Sequence, residues 1–530
     1  MRADLVIRSS RIIDGTGAPS FAGGIAISDG RIAAIGPSVD LRADDELDAR
    51  DLVVTPGFID MHVHADLRIL VDSSWRSSLD QGVTTIVIGQ DGLGLAPLND
   101  VAMAVRRQLR GINGDADVTP WSWRTVAEYL TRIESEPLGP NVATMVSHGT
   151  IRLVAMGEAT RPPSPSELAH MQALVRQGME DGGFGLSAGL TYAPASFATN
   201  EELVALCMVA GRYGGFYQPH HRNYGAGAIR EYAASIEIGR QAGVPVHLTH
   251  AHLSFSVNAN RAPELLAQVD AARLAGLDVT MDSYPYLAGS TYLAAFLPSW
   301  AQVDGTAAVV SRLHSPETRA RIAAEMDAGS DGLQGVPVEW AAITIAGVNR
   351  GELAGAVGQS IEGLGRVWSM NPFDAFAKLL IEDDLAPVAI LTIGHEDNVR
   401  AILAHPAQMP ASDGIDVGQR PHPRAWGTFA RSLGRYSREL GVVKLEEMVR
   451  KMTSAPARRL GLADRGVLRT GAAADVTVLD PDVIIDRATY EEPRQAPVGV
   501  HSVIVNGTIV VRDGRAVEAS GGRVLRRPTS

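Results

Sequence analysis

The chain has 530 residues, of which 45% are hydrophobic and 20% charged, enough for a large catalytic domain and a smaller second one. Its net charge is −12 and it has no basic cluster, which argues against a nucleic-acid partner. No run of about eighteen apolar residues is present, and the first four residues do not resemble a signal peptide, so we expect no membrane association.

Cysteine and lysine usage narrows the chemistry. Cys207 is the single cysteine, which excludes an internal disulfide and fits a cytoplasmic protein. The three lysines are Lys378, Lys444 and Lys451. A mechanism that needs a lysine in the first two thirds of the chain therefore has none to use.

Both ends of the chain are rich in short strands. Residues 1–55 contain alternating apolar runs separated by Asp-Gly turns. Residues 465–530 show the same pattern of short apolar runs, here separated by an Asn-Gly and an Asp-Gly turn. We predict one small β-sandwich domain built from these two terminal segments.

Between them, at residues 56–464, apolar strand-like runs alternate with helical patterns, which is typical of βα units. The eight runs are the one ending at His62, then 84–88, 142–146, 184–187, 215–218, 244–249, 277–281 and 408–412. This pattern predicts an α/β fold with a (β/α)8 TIM-like barrel. About 125 residues separate the seventh and eighth runs, so we expect an inserted subdomain at about 290–350.

The first run ends in His62 and His64. Their i, i+2 spacing places both imidazoles on one face of a strand, beside Asp60 and Asp66, as a divalent metal requires. The alternative is that two polar residues simply leave a strand for a loop.

Other polar, titratable residues follow the later runs. They are Gln90-Asp91-Gly92, Ser147-His148, Ser187, His220-His221, His250, Tyr284-Pro285-Tyr286 and Ser412-Asp413-Gly414. Because the carboxyl ends of barrel strands meet at one rim, this concentration favours a metal site over isolated structural residues.

Several motifs resemble the amidohydrolase superfamily, and specifically its N-acyl-D-amino-acid deacylase (D-aminoacylase) branch. They are PGFIDMHVHAD, GVTTIVIGQDG followed by LAP, GLSAGLTY, VPVHLTHAH, DSYPY, and SDG continued by HPRAWGTF. Together they cover nearly the whole chain, including the divided terminal domain.

The resemblance implies a metal centre. His220 and His250 would bind a tight Zn²⁺, His62 and His64 a second, weaker ion, and Asp413 would contact metal and water as the general base. Members of the branch usually bridge the two positions with a cysteine, where this sequence has Asp91. A carboxylate is a harder ligand, which makes Mn²⁺ or Co²⁺ more compatible.

The alternative role for Asp91 is helix capping beside Gly92. Lysine cannot supply the bridge, because all three lysines lie past residue 377. Cys207 lies in an apolar helical run and is expected to be core. We therefore predict Asp91 as the bridging ligand.

The substrate site is predicted beside Asp413. Arg424 lies eleven residues later at the same end of the barrel and would bind a carboxylate bidentately; the alternative is an arginine that stabilises the loop. The resemblance implies that Tyr284 and Ser290 assist, with Tyr192 and His252 nearby. Where the family often has a lysine just beyond the sixth-strand histidine, this chain has His252.

The predicted enzyme hydrolyses a linear amide bond, releasing a D-amino acid and a carboxylate from an N-acyl-D-amino acid by metal-activated water. Alternatives are a cyclic amidohydrolase of the hydantoinase or dihydroorotase type, and a non-catalytic scaffold with the same fold. We expect a small-molecule substrate as the partner, and the oligomeric state stays open.

Overall fold

The computed structural model describes residues 2–37, 42–329 and 335–528. Strands from both ends of the chain share one nine-stranded sheet. They are Arg2–Ile12, Phe21–Ser28, Arg31–Gly36, Arg42–Asp48, Val53–Pro56, Val476–Leu479, Val500–Val505, Thr508–Arg512 and Arg515–Ala516. The strand Val53–Pro56 joins the two halves, because it pairs with Arg2–Ile12 on one side and with Val476–Leu479 on the other.

The hairpins of this sheet use the predicted turn residues. Asp29 and Gly30 both have positive φ, 50° and 71°, and Asn506 and Gly507 have φ of 48° and 84°. These left-handed conformations suit two-residue turns whose twist matches the flanking strands. The prediction of Asp-Gly and Asn-Gly hairpins at these positions is confirmed.

Each of the eight apolar runs of the middle region contains or adjoins a buried parallel strand. These central strands are Phe58–Asp60, Val83–Ile88, Asn141–Thr144 continued by Val146–Ser147, Gly185–Gly189, Phe216–His220, Val246–Leu248, Val279–Ser283 and Gln408–Pro410. They pair in chain order, the first three in one sheet and the others, from Val146–Ser147 onward, in a second.

Backbone contacts also join the residues that follow the first and eighth central strands. Val63 and Gly414 form a parallel bridge. The Asp413 N–H donates to the His62 carbonyl at 2.9 Å, and the His64 N–H donates to the Gly414 carbonyl at 3.0 Å. The two ends of the strand series thus place their polar residues side by side.

Helices accompany the central strands. They are Arg76–Leu79, Asp100–Arg107, Arg110–Asn113, Val126–Glu134, His148–Met156, Pro165–Glu180, Asn200–Gly211, Ala228–Ala242, Ala262–Leu274, Glu396–Ala404, Arg424–Arg431, Leu445–Met452 and Ser454–Leu460. In the described part of the chain, no helix has the length and apolar character needed to cross a bilayer.

The sequence predicts a helix over 166–180 with a serine at its N-cap, and the structure places that cap at Ser164 instead of Ser166. The helix begins at Pro165, and Ser164 is its N-cap. The Ser164 hydroxyl accepts the Glu167 N–H and the Glu167 carboxylate accepts the Ser164 N–H, which is a capping box. Proline at the first helical position favours this earlier start.

Between the seventh and eighth central strands the chain adds a three-stranded antiparallel sheet. Its strands are Ala288–Tyr292, Ile343–Gly347 and Val388–Thr392, and its helices are Gly305–His314, Pro316–Ala328, Ile361–Val367 and Pro372–Glu382. A separate hydrophobic core fills this region. The sheet reaches the cavity above the central strands, where Ser290 and Leu391 contribute to the lining.

Candidate metal centre and active site

Four histidines and two aspartates meet at the carboxyl ends of the central strands. One group contains His62, His64, Asp91 and Asp413, and a second contains Asp91, His220 and His250, with the potential ligand atoms of each group within 4.8 Å of one another. All six side chains are buried. The predicted metal ligands, separated by up to about 350 residues in the chain, are thus brought together.

The first group has the spacing of a coordination shell. His62 Nε2 lies 3.6 Å from Asp91 Oδ1 and 3.5 Å from Asp413 Oδ1. His64 Nε2 lies 3.5 Å from Asp91 Oδ2 and 3.3 Å from Asp413 Oδ1. Ligands at about 2.0–2.2 Å from a tetrahedral ion lie about 3.3–3.6 Å apart, so these distances fit a shared cation.

The second group has similar spacing. Asp91 Oδ2 lies 3.4 Å from His220 Nδ1 and 3.6 Å from His250 Nε2, and those two nitrogens are 3.0 Å apart. Asp91 therefore faces all four imidazoles, with Oδ1 toward His62 and Oδ2 toward the other three. This is the position of a carboxylate that can bridge two ions.

Several atoms of the cluster lack hydrogen-bond partners. Both ring nitrogens of His62 and Oδ1 of Asp91 are buried without one among the described residues. Buried polar atoms without partners are costly, so they are rare outside functional sites. Imidazole nitrogens and carboxylate oxygens are ligands that suit Zn²⁺, Mn²⁺ and Co²⁺, and the residues present therefore fit a divalent ion.

The electrostatics of the cluster also favour a cation. Burial opposes ionisation of Asp91, but His62, His220 and His250 outweigh it and hold the pKa of Asp91 well below its usual value. Burial lowers the pKa of His220 to about 4, which leaves this imidazole neutral and able to bind a metal.

Three of the predicted ligands adopt strained backbone conformations. Asp91, His250 and Asp413 have φ of 53°, 29° and 47°, in a region that non-glycine residues rarely adopt. Such conformations persist where the surrounding structure enforces them, and they concentrate at functional sites. Gly189 permits the Asp91 loop to approach, since a Cβ at residue 189 would lie 1.9 Å from the Asp91 carbonyl oxygen.

Asp282, from the seventh central strand, lies behind two of the predicted ligands, His62 and His250. The sequence did not indicate this supporting role. Its carboxylate accepts the His250 N–H at 2.6 Å and lies 3.1 Å from His247 Nε2. Oδ2 is 3.7 Å from His62 Nδ1, the ring nitrogen that faces away from Asp91 and Asp413. A carboxylate behind a ligating histidine fixes the orientation and tautomer of the ring. The available signal was its place as the first residue of the DSYPY motif, directly after the seventh apolar run.

Replacing Asp282 with Asn is therefore expected to weaken metal binding by about 10–100-fold, because an amide orients the imidazole less strongly. Chelator competition on the purified protein would measure this affinity. Asp327→Asn, at an exposed helical position, is the matched control and is expected to bind metal normally. Unchanged affinity in Asp282→Asn would remove this residue from the support of the site.

Arg424 lies directly beside the cluster. Its Nη1 is 2.9 Å from Asp413 Oδ2, its guanidinium stacks 4.5 Å above the Tyr284 ring, and its Nη2 donates to the Ser290 carbonyl at 3.3 Å. Burial opposes ionisation of Asp413, but Arg424 and the imidazoles outweigh it and keep the pKa of this carboxyl below its usual range. Asp413 is thus held as a carboxylate.

A cavity of about 590 Å³, including its open mouth, lies over the cluster, and its size suits a small molecule. All five predicted substrate residues line it: Tyr192, His252, Tyr284, Ser290 and Arg424. The His252 ring stacks on Tyr284 at 4.1 Å, and the Tyr192 ring lies 4.7 Å from His220.

Further residues that line the cavity were not indicated by the sequence, and they are Tyr224, Ser254, Phe255, Gly289, Thr291, Leu391, Ile393 and Ile415. They lie on loops after the central strands and in the inserted region. No periodic pattern marks such positions, although Tyr224 follows His220 closely. Its hydroxyl is 3.2 Å from His250 Nδ1 and so helps to orient that ring.

Comparison with known proteins agrees with this geometry. A model of the amidohydrolase family matches residues 45–511. Three proteins of Alcaligenes xylosoxydans xylosoxydans are similar over at least 99% of this chain: a D-aminoacylase (34% identical, 98% of its length), an N-acyl-D-glutamate deacylase (34%, 98%) and an N-acyl-D-aspartate deacylase (32%, 95%).

Solved structures extend the similarity. A D-aminoacylase with a binuclear metal centre is 32% identical with a TM-score of 0.84. An N-acyl-D-glutamate deacylase from Bordetella bronchiseptica, complexed with zinc and a phosphonate mimic of the tetrahedral intermediate, is 33% identical with a TM-score of 0.83. Each comparison covers 99% of this chain and 100% of the other. An L-hydantoinase from Arthrobacter aurescens, 17% identical with a TM-score of 0.54 over 99% and 100% of the two chains, shares the fold.

Proposed function

We propose a function for this chain, which belongs to the amidohydrolase family. It is a metal-dependent hydrolase of linear amides that converts an N-acyl-D-amino acid to a carboxylate and a free D-amino acid. One observation carries the proposal: Asp413 contacts the histidine cluster through Oδ1 and Arg424 through Oδ2, in the cavity that also contains the other predicted substrate residues.

We propose Zn²⁺ as the resident metal, with a tighter position at His220 and His250 and a weaker one at His62 and His64. The relatives with zinc and with a binuclear centre support this assignment. Asp91 would bridge the two positions, and its hard carboxylate is also compatible with Mn²⁺ or Co²⁺. The bound ion supplies Lewis acidity, which acidifies water and polarises an amide carbonyl.

The protein's own residues then perform the proton transfers. Asp413, ionised beside Arg424, takes the proton of the attacking water and returns it to the amine, which leaves poorly unless protonated. Arg424 holds Asp413 in place through Nη1. It offers its remaining N–H groups to the substrate carboxylate, among them Nε, which has no hydrogen-bond partner in the described structure. Tyr284, Ser290 and His252 would complete this polar side of the cavity, with Tyr192 beside His220.

A panel of N-acetyl-D- and N-acetyl-L-amino acids, assayed with metal content measured on the same sample, tests the proposal. We expect chelator-sensitive hydrolysis of the D-derivatives, restored by Zn²⁺, and little of the L-derivatives. Hydrolysis of 5-substituted hydantoins alone would instead support a cyclic amidohydrolase, and a metal-free, inactive protein would support a scaffold.

We also propose the domain organisation: a β-sandwich domain of residues 1–55 and 465–530, and a closed (β/α)8 barrel of residues 56–464 with an inserted subdomain at about 290–350. The sheet shared by both ends of the chain supports the first part. The bridge between Val63 and Gly414 supports closure of the barrel.

Cys207, buried and free, is compatible with a cytoplasmic location.

A further inference from the structure

The cavity lining beyond the metal cluster divides into a polar and an apolar part. The polar part contains Arg424 and its neighbours. The apolar part, which we call the apolar wall, contains Phe255, Leu391, Ile393 and Ile415. Phe255, Leu391 and Ile415 are buried, and Ile393 is half-buried. A substrate held between these parts meets charge on one of them and hydrocarbon on the other.

Backbone pairing fixes the apolar wall. Leu391 belongs to the strand Val388–Thr392 and pairs with Gly289. The Ile393 N–H donates to the Leu287 carbonyl at 3.2 Å, and the Phe255 N–H donates to the Ile393 carbonyl at 2.7 Å. The wall is therefore a preformed surface, and apolar residues on a fixed surface select for apolar groups.

Arg424 is the one arginine or lysine among the described residues that line this cavity. It is already paired with Asp413 and stacked on Tyr284. Its remaining donors suffice for the α-carboxylate of one amino acid. The Nε2–H of His252 is directed to the Tyr284 carbonyl at 3.2 Å, on the same polar side.

Two arginines that follow central strands, Arg152 and Arg222, serve structural contacts. Arg152 is fully buried and bonded to Glu202, which also contacts His148. Arg222 donates to the Ser196 and Ala198 carbonyls. Neither arginine lines the cavity, so neither is placed to receive an acidic side chain.

We infer that the enzyme selects N-acyl-D-amino acids with uncharged, preferably apolar side chains over N-acyl-D-glutamate and N-acyl-D-aspartate, and that Leu391 and Ile393 help to determine this specificity. The inference rests on the proposed function. The side-chain carboxylate of D-glutamate or D-aspartate would lose its hydration at the apolar wall, where no cation is available to pair with it. An unpaired buried charge is strongly disfavoured.

The test compares kcat/KM for N-acetyl-D-methionine, N-acetyl-D-glutamine and N-acetyl-D-glutamate on the zinc-reconstituted enzyme. Glutamine and glutamate have nearly the same size, so that pair isolates the charge. We expect methionine to exceed glutamate by about 100-fold or more, with glutamine between them. Inhibition by the free products D-methionine and D-glutamate gives a second measure of the preference on the unmodified protein.

An Ile393→Lys variant places a cation at the half-buried edge of the wall. We expect it to lower the methionine-to-glutamate ratio by at least about tenfold, because the ammonium pairs with the side-chain carboxylate. Val367→Lys is the matched control: Val367 is 64% exposed in the inserted region and does not line the cavity. Its ratio should equal that of the wild type.

The outcomes separate the two levels of inference. Hydrolysis or product inhibition that favours D-glutamate or D-aspartate as much as D-methionine would overturn the side-chain preference and leave the deacylase function standing. Failure of the metal-loaded enzyme to hydrolyse any of the D-derivatives would overturn the proposed function and this inference with it.

Discussion

Asp413→Asn is expected to lower kcat by about 10²–10⁴-fold while the protein keeps its metal, because an amide cannot accept the proton of the attacking water. Asn retains an oxygen in the place of Oδ1, which faces His62 Nε2 at 3.5 Å and His64 Nε2 at 3.3 Å. The loss of rate should therefore come from proton transfer rather than from loss of the ion.

Measuring kcat and metal content on the same preparation separates these two effects. Asp327→Asn, an exposed position, controls for the substitution itself and should behave as wild type. Near wild-type turnover in Asp413→Asn would exclude this residue as the general base. Loss of metal together with activity would instead assign it a mainly ligating role.

Asp91→Ala is expected to weaken metal binding by at least about 100-fold, because it removes the carboxylate that faces all four imidazoles and with it an anionic ligand of both positions. Both groups of ligands include Asp91, so occupancy of both positions should fall. Metal stoichiometry after dialysis against a weak chelator measures this effect.

Asp91→Cys is the informative companion variant. It places a soft thiolate where the wild type has a hard carboxylate, and we expect it to retain metal with a shift of preference from Mn²⁺ toward Zn²⁺. If Asp91→Ala bound metal as tightly as the wild type, Asp91 would be a capping residue of the loop and the bridge would need another ligand.

That the predicted metal ligands meet could be anticipated because each ends or follows an apolar run. The histidine at 220 ends one such run and the one at 250 follows another, and carboxyl ends of parallel strands must meet at one edge. Asp91 was predictable by elimination, since lysine and cysteine were absent from the required segment. The turns at Asp29 and Asn506 followed from local backbone preferences alone.

Other features depend on contacts between distant segments, which no local pattern encodes. Asp282 acts through His62, about 220 residues away, and through the backbone of His250. The apolar wall at Leu391 depends on how the inserted sheet lies over the rim. The start of the helix at Pro165 is a smaller case, in which two nearby serines could cap the helix and Ser164 rather than Ser166 does so.

Anomalous X-ray diffraction at the zinc absorption edge, on crystals of the zinc-loaded enzyme, tests the central claim most directly. We predict a strong peak within about 2.0–2.2 Å of Asp91, His220 and His250, and a second, weaker peak on the His62 and His64 side of Asp91. A zinc-loaded crystal without a peak among these residues, or with its only peak elsewhere on the protein, would contradict the account.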